Sequence, residues 1–245
     1  MAIPDNVTIT ITSCGRLDLL ARSIDSFRQF NTGGRYIISE DSADPAIVDL
    51  VRTSYPGMSV LSGPERVGLM RSIDRLYGAV DTPYILHLED DFEFDGPVDA
   101  AAAIALLNAR DDVANVSFIS FETRLKEKWR LKSDPLSFAD RQFCLMRPDA
   151  HPEFFGWSSG PGLMRTDLYK AYAPFGRMLH DQMSALIKRD GRREAFMLPG
   201  VAYHIGKGRN VVDPTIPSRP TSRPAKLLRA LKKKLYYAKL RKNPF

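Results

Sequence analysis

The feature that most constrains this chain is a repeated switch of hydrophobic period through its first half. Val7, Ile9 and Ile11 alternate with Thr8, Thr10 and Thr12, the two-residue period of a half-buried strand. Past "SCGR" the apolar residues Leu17, Leu20, Ile24 and Phe27 fall three and four apart, the period of a helix packed along one stripe. The switch recurs along the chain: "YIIS", a helix from Pro45 with Asp44 at its N-cap, "SVLS", the helix "GLMRSIDRLYGAV", "YILHL", the helix "PVDAAAAIALLNA", and "NVSFISF". Such alternation predicts an α/β fold, a mainly parallel sheet flanked by helices on both faces.

Beyond Phe121 the pattern loosens. Residues 122–162 mix charges, Pro, Gly and aromatics, with one predicted strand at "RQFCLM" and a turn-rich "PEFFGWSSGPG"; a helix over "MLHDQMSALIKRD" and a short "AFMLPGVAYHIG" follow. The expected organisation is one domain over residues 1–212, a Pro-rich linker over 213–224 and a basic amphipathic helix over 225–245.

Charge is divided the same way. The chain has 35 Lys and Arg against 29 Asp and Glu, and ten of the basic residues but none of the acidic ones lie beyond residue 218; residues 1–218 thus hold 25 basic and 29 acidic groups. The body is acidic and the tail strongly basic, so the net charge does not make the body a nucleic-acid binder. In the tail, Leu227, Leu228, Leu231 and Leu235 share one helical face among Lys and Arg, which suits an anionic membrane surface; RNA or a partner helix is the rival, though nucleic acid has little use for the leucines. Cys14 and Cys144 form neither a disulfide framework nor a zinc spacing, "MAIPDNVTITITS" has no signal-peptide pattern, and "AAAAIALL" is far short of a bilayer span. The expected location is cytoplasmic, with peripheral attachment to the inner face of the plasma membrane through the tail.

In open α/β sheets ligands gather outside the carboxyl ends of the parallel strands. The residues that follow those strands are "TSCGR" (12–16), "SEDSAD" (39–44), "PERVG" (64–68) and "EDD" (89–91), with Arg71 one turn beyond Gly68. Hydroxyls, a loop glycine, carboxylates and arginines describe a pocket for a phosphorylated polar ligand and a divalent cation. The crowding of Glu89, Asp90, Asp91, Glu93 and Asp95 calls for compensation, and Glu89 and Asp91, two apart on a strand, can together hold Mg²⁺ or Mn²⁺. Taken alone, "EDD" fits solvated strand-end carboxylates as well.

The segments "TITSCGRLDLL", "IISEDSADP", "RVGLMRSIDRLY" and "LHLEDDFEF" resemble, in order and spacing, the nucleotide-binding half of the GT-A glycosyltransferases, particularly the family 2 type. "GWSSGPGLMRTDLY", "HDQMSALIKRDG" and "AYHIG" extend the likeness to an acceptor loop, a segment with a catalytic Asp and a late metal-site His, so that residues 1–95 correspond to the nucleotide-binding half and 96–212 to the acceptor half. The resemblance implies a GT-A fold and metal-dependent transfer of a sugar from a UDP- or GDP-type donor to a saccharide or lipid-linked hydroxyl acceptor, with inversion, in bacterial surface polysaccharide or glycolipid assembly. It implies that Thr12, Ser13 and Arg16 line the nucleotide, Asp41 meets the base, and Gly68 and Arg71 lie near ribose and phosphates. Glu89 and Asp90 face the nucleotide side, Asp91, Glu89 and His204 the Mn²⁺ or Mg²⁺, and Trp157 and Ser158 the acceptor. The motif begins with Glu where Asp is commoner, and Asp90 with Asp91 is an alternative working pair.

The resemblance also makes Asp181 the general base that takes the acceptor proton, with Glu153 and Asp167 next in line; a first-turn carboxylate favoured by the helix dipole is the plain alternative. His87 is expected in the core, His151 has no evident role, and His180 can tune Asp181 or stay solvated. A sugar nucleotidyltransferase is a rival, but "SCGRLDLL" has too few glycines for its loop. A degenerate sugar- or RNA-binding module is a second, disfavoured by intact Glu89, Asp91, Asp181 and His204.

Overall fold

The computed structural model describes residues 1–216 and 220–242. In chain order the elements are β1 (Val7–Ser13), α1 (Leu17–Phe30), β2 (Arg35–Glu40), α2 (Pro45–Ser54), β3 (Ser59–Leu61), α3 (Leu69–Tyr77), β4 (Tyr84–Glu89) and β5 (Phe92–Phe94). Then come α4 (Ala100–Ala109), β6 (Val113–Ser117), the short α5 (Phe121–Arg124) and α6 (Glu127–Arg130), β7 (Ser133–Phe138), β8 (Arg141–Met146) and β9 (Gly162–Arg165). The chain closes with α7 (Thr166–Tyr172), a 3-10 turn at Phe175–Arg177, α8 (His180–Arg189), β10 (Arg193–Leu198), β11 (Ala202–His204) and α9 (Arg223–Lys242).

Nine strands form one sheet in the order β3-β2-β1-β4-β9-β6-β10-β8-β7. β1 pairs in parallel with β2 and β4, β2 with β3, and β6 with β10, as the alternation requires. The helix signals hold as well: Asp44 accepts the Ala46 N–H at 2.9 Å ahead of Pro45, and Asp99 accepts the Ala102 N–H at 3.0 Å.

Three differences are instructive. β1 was expected to be half buried, yet its threonines are as buried as its isoleucines, because the strand is central and both sheet faces are covered. Their hydroxyls are satisfied internally, Thr8 against Thr82 at 2.8 Å and Thr10 against His87 Nδ1 at 3.1 Å. Secondly, β9 lies between β4 and β6, antiparallel to both, where the sequence suggested only a loop and helix start. Four residues beginning with Gly162 carry too short a pattern to register as a strand. Thirdly, β6 stops at Ser117, short of the expected Phe121, because Phe118 N–H turns to the Pro161 carbonyl at 2.9 Å and Ile119 bridges to Ala202.

The end of the expected domain and the first residue of the expected linker, Asp213, are tied to the sheet's carboxyl end. Arg209 pairs with Asp18, Arg66 donates to the Val212 carbonyl at 2.6 Å, and Asp213 accepts the Leu69 N–H at 3.0 Å, so this segment lies across the carboxyl end of the sheet. Part of the expected linker (217–219) and the last three residues of the expected tail helix (243–245) lie outside the described residues.

Candidate active site

The parallel strands β1, β2 and β4 end side by side, and their exit residues interlock. Glu40, fully buried at the end of β2, accepts the Gly15 N–H at 2.8 Å and the Ser42 N–H at 2.9 Å through Oε1, tying the first loop to the second. Asp41 accepts the Val67 and Gly68 N–H groups, both at 2.9 Å, through its two oxygens. Its first duty is therefore to hold the loop that starts α3, and a base contact would use its remaining lone pairs. Gly68 is at φ +83°, and a Cβ there would lie 2.4 Å from the Asp213 carboxylate, so the N-terminus of α3 has room for glycine only. Glu40 was missed in the sequence because its neighbour in "SED" carried the motif.

Strand geometry ends at Glu89, so the acidic residues do not alternate as a continuing strand would have them. Glu89 turns toward the Ser159 hydroxyl, 3.3 Å away, while Asp90 and Asp91 share Arg16. Arg16 donates through Nε to Asp90 Oδ2 at 3.1 Å and through Nη1 to Asp91 Oδ2 at 2.9 Å, and its Nη2 also bonds Asp90. The pairing of Asp90 with Asp91, the alternative register of "EDD", is the one that arginine gathers. Asp90 is buried, which pushes its carboxyl up to about 6 although Arg16 pulls the other way.

His204 reaches this cluster through the small β5–β11 sheet, where it pairs with Phe92, and through the Ile205 N–H, which donates to the Asp91 carbonyl at 2.8 Å. Its Nε2 lies 3.4 Å from Asp91 Oδ2. A carboxylate oxygen and an imidazole nitrogen at that separation fit two positions on one Mn²⁺ or Mg²⁺, leaving the others to ligand phosphate and water. No group of three His, Cys, Asp or Glu able to hold an ion occurs among the described residues, so Glu89 is not assembled as a third ligand. The Ser13 hydroxyl and Glu40 Oε2 are buried without a partner, the condition of polar atoms that a bound ligand or water completes. Thr12 lies alongside, its carbonyl accepting the Asp90 N–H at 3.0 Å.

On the other side of Glu89 opens a cavity of about 570 Å³ whose walls include Trp129, Phe154, Trp157 and Phe196. Ser158 donates to Glu194 at 2.6 Å at this cavity, a buried carboxylate that no sequence pattern flagged. Trp157 lines the inner wall but is only 1% exposed, with its indole N–H on Met164 Sδ at 3.4 Å and its ring against Phe175. It anchors the loop; of the other wall aromatics, Phe154 stacks on His151 with ring centroids 4.3 Å apart, and Trp129 carries the Lys126 and Lys128 ammoniums over its ring. His180 accepts the Ser159 N–H at 3.2 Å, and Asp181 follows it in the first turn of α8, accepting the Gln182 N–H at 3.1 Å. Among the fallback bases, Glu153 is buried and Asp167 lies beside Arg165. Arg71 is exposed in a separate cleft, away from Asp90 and Asp91. Tyr236 of α9 is half-buried, and burial together with the Glu153 and Asp181 carboxylates raises its hydroxyl, so the C-terminal helix lies near those two residues while Leu227, Leu228, Leu231 and Leu235 stay exposed.

No family model and no curated protein sequence matches this chain. Solved structures do. S. aureus TarS superposes with a TM-score of 0.55 at 10% identity over 81% of this chain and 60% of that one. The mannosyltransferase PcManGT from Pyrobaculum calidifontis superposes with a TM-score of 0.59 at 14% identity over 85% of this chain and 61% of that one. This chain therefore spans about three fifths of each. TarS was solved with UDP and with UDP-GlcNAc, and PcManGT with GDP-Man and Mn²⁺. The fold of this chain is that of the GT-A glycosyltransferases.

Proposed function

We propose that this protein is a divalent-cation-dependent glycosyltransferase that moves a sugar from a nucleoside diphosphate donor to a hydroxyl acceptor with inversion. The observation that carries it is the cluster of Arg16, Asp90, Asp91 and His204 at the carboxyl ends of β1 and β4, on a GT-A fold. Asp91 and His204 would hold Mn²⁺ or Mg²⁺, which when bound supplies positive charge to the departing diphosphate. Thr12, Ser13, Asp41 and Gly68 bound the nucleotide, and Arg16, released from one of its two carboxylates, is available to a phosphate oxygen.

Asp181 accepts the proton of the acceptor hydroxyl as that oxygen bonds to the anomeric carbon and the electrons of the broken glycosyl–phosphate bond leave with the diphosphate. One such displacement inverts the centre. The exposed leucine face and ten basic residues of the tail fit an anionic membrane surface, and with it a lipid-linked or surface-polysaccharide acceptor. No helix among the described residues is long and apolar enough to cross a membrane.

A thermal-shift panel of UDP, GDP and their sugars, each with and without Mn²⁺, tests the donor assignment. Ligand at a hundred times its Kd adds about 2.7 kcal/mol to the native state. A panel in which no nucleoside diphosphate or sugar nucleotide raises the melting temperature above that of the protein alone removes the donor.

A further inference from the structure

Beside the proposed active site lies a second cleft, of about 200 Å³, lined by Arg71, Arg177, Gln182 and Thr215 with apolar neighbours. It contains none of Arg16, Asp90, Asp91 and His204. Its two arginines are exceptional in their surroundings. Arg16, Arg66, Arg75 and Arg209 nearby each hold a carboxylate or carbonyl, whereas the side chains of Arg71 and Arg177 make no hydrogen bond or ion pair among the described residues.

The fold holds these two like charges on one cleft. Asp74, the nearest acid on α3, is spent on the backbone: its oxygens accept the Phe175 and Gly176 N–H groups, each at 2.7 Å, and so fasten the Phe175–Arg177 turn to the helix. Gly176 then lies so close that a Cβ would sit 2.6 Å from Arg71 Cγ. Among the described residues no carboxylate lines the cleft, and the other polar side chains on its wall are the Gln182 amide and the Thr215 hydroxyl, which donates to Asp213 at 2.6 Å. Two arginines that line one small cleft repel unless an anion joins them, and a tetrahedral oxyanion suits two forks at once.

The cleft is also placed for the acceptor. Gln182 on its wall follows Asp181 directly, and its side-chain oxygen accepts the Leu179 N–H at 3.1 Å, which fixes the start of α8 beside both residues. We infer that this cleft is an oxyanion subsite that holds a phosphate ester carried by the acceptor, with Arg71 and Arg177 as its clamp and the acceptor hydroxyl presented beside Asp181. The inference rests on the transferase reading for the word acceptor, and on the cleft alone for the anion. It also reassigns Arg71, which the family resemblance gives to the donor phosphates.

Glycerol 3-phosphate is the probe, titrated calorimetrically into the full chain with glycerol as the control, both in the absence of nucleotide and with UDP and Mn²⁺ present. Wild type binds the phosphate and not glycerol, with added salt weakening it; Arg177→Ala loses at least tenfold, Arg177→Lys loses less, and UDP affinity stays within twofold in all three. Competition of the probe with phosphatidic-acid vesicles identifies a lipid-borne phosphate, and its absence a water-soluble ester. Equal probe affinity in wild type and Arg177→Ala, or no probe binding at all, overturns the subsite. A parallel loss of UDP affinity overturns it too, by giving the cleft to the donor. If UDP fails to bind wild type while probe binding still depends on Arg177, the transferase reading falls and the anion cleft stands.

Discussion

The two halves of the site are built on different terms. On the side proposed for the donor two carboxylates are fixed by backbone, Glu40 holding two N–H groups and Asp41 two more, while Arg16 gathers the side chains of Asp90 and Asp91. On the acceptor side the groups are fixed by one another and by aromatic packing. Ser158 bonds Glu194, Ser159 meets both Glu89 and His180, and Trp157 is locked against Phe175. Where backbone is the anchor, at Glu40 and Asp41, loss of the side chain is expected to cost folding and, on the proposed reading, donor binding together. The side-chain mesh of the acceptor side can change its chemistry without loosening the sheet beneath it.

The largest effect that would sharpen this contrast is expected at Asp181. Asp181→Asn keeps its shape and its place in the first turn of α8 but cannot take a proton, so turnover should fall by roughly 10²–10⁴ while donor affinity and melting temperature hold. Near wild-type turnover would move the base to another residue, Glu153 or Asp167 first.

At Asp41 the opposite pattern is expected. Asp41→Ala leaves the Val67 and Gly68 N–H groups without their acceptors at a buried site, and hydrogen bonds to a charged group are each worth about 1.5–3 kcal/mol. Urea unfolding should show a loss of about 3 kcal/mol or more, with nucleotide affinity falling alongside. If stability is lost without affinity, the α3 loop is not part of the donor site.

A third expected effect lies beneath the donor side, in the core. Burial lowers His87 to about 3 from 6.5, with its Nδ1 against Thr10 and its ring edge-on to Tyr77. Between those two values the unfolded chain binds a proton that the folded chain refuses, so stability is present above the unfolded pKa and drains away as pH falls. The slope is at most about 1.4 kcal/mol per pH unit. From pH 6.5 to 4.5 the wild type should lose about 2 kcal/mol more than His87→Gln, and equal slopes in the two proteins would contradict the assignment.

The same contrast decides what the sequence could disclose. The donor side was legible because its residues come at the ends of periodic strands, so Arg16, Asp41, Gly68 and Asp91 could be collected by position before any contact was known. What stayed open there was direction: Glu89 with Asp91 and Asp90 with Asp91 were both offered, and because the strand ends at Glu89 and the chain turns, it is Asp90 and Asp91 that Arg16 bonds. The acceptor side was poorly legible because its order comes from long-range contacts. Glu194 meets Ser158 across 36 residues, β9 enters the sheet between two strands that precede it, and Asp213, written among linker residues, caps a helix 144 residues away. Period and propensity report local preference, and none of these is a local preference.

The central claim is that Asp91 and its neighbours form a cation-linked site for a nucleoside diphosphate. Calorimetric titration of UDP and GDP into wild type and Asp91→Asn, each with and without Mn²⁺, tests it most directly. Wild type should bind one of the two nucleotides at least roughly tenfold more tightly in Mn²⁺ than without it, about 1.4 kcal/mol, and Asp91→Asn should lose that gain while remaining folded. Equal nucleotide affinity for the two proteins in Mn²⁺ would contradict it.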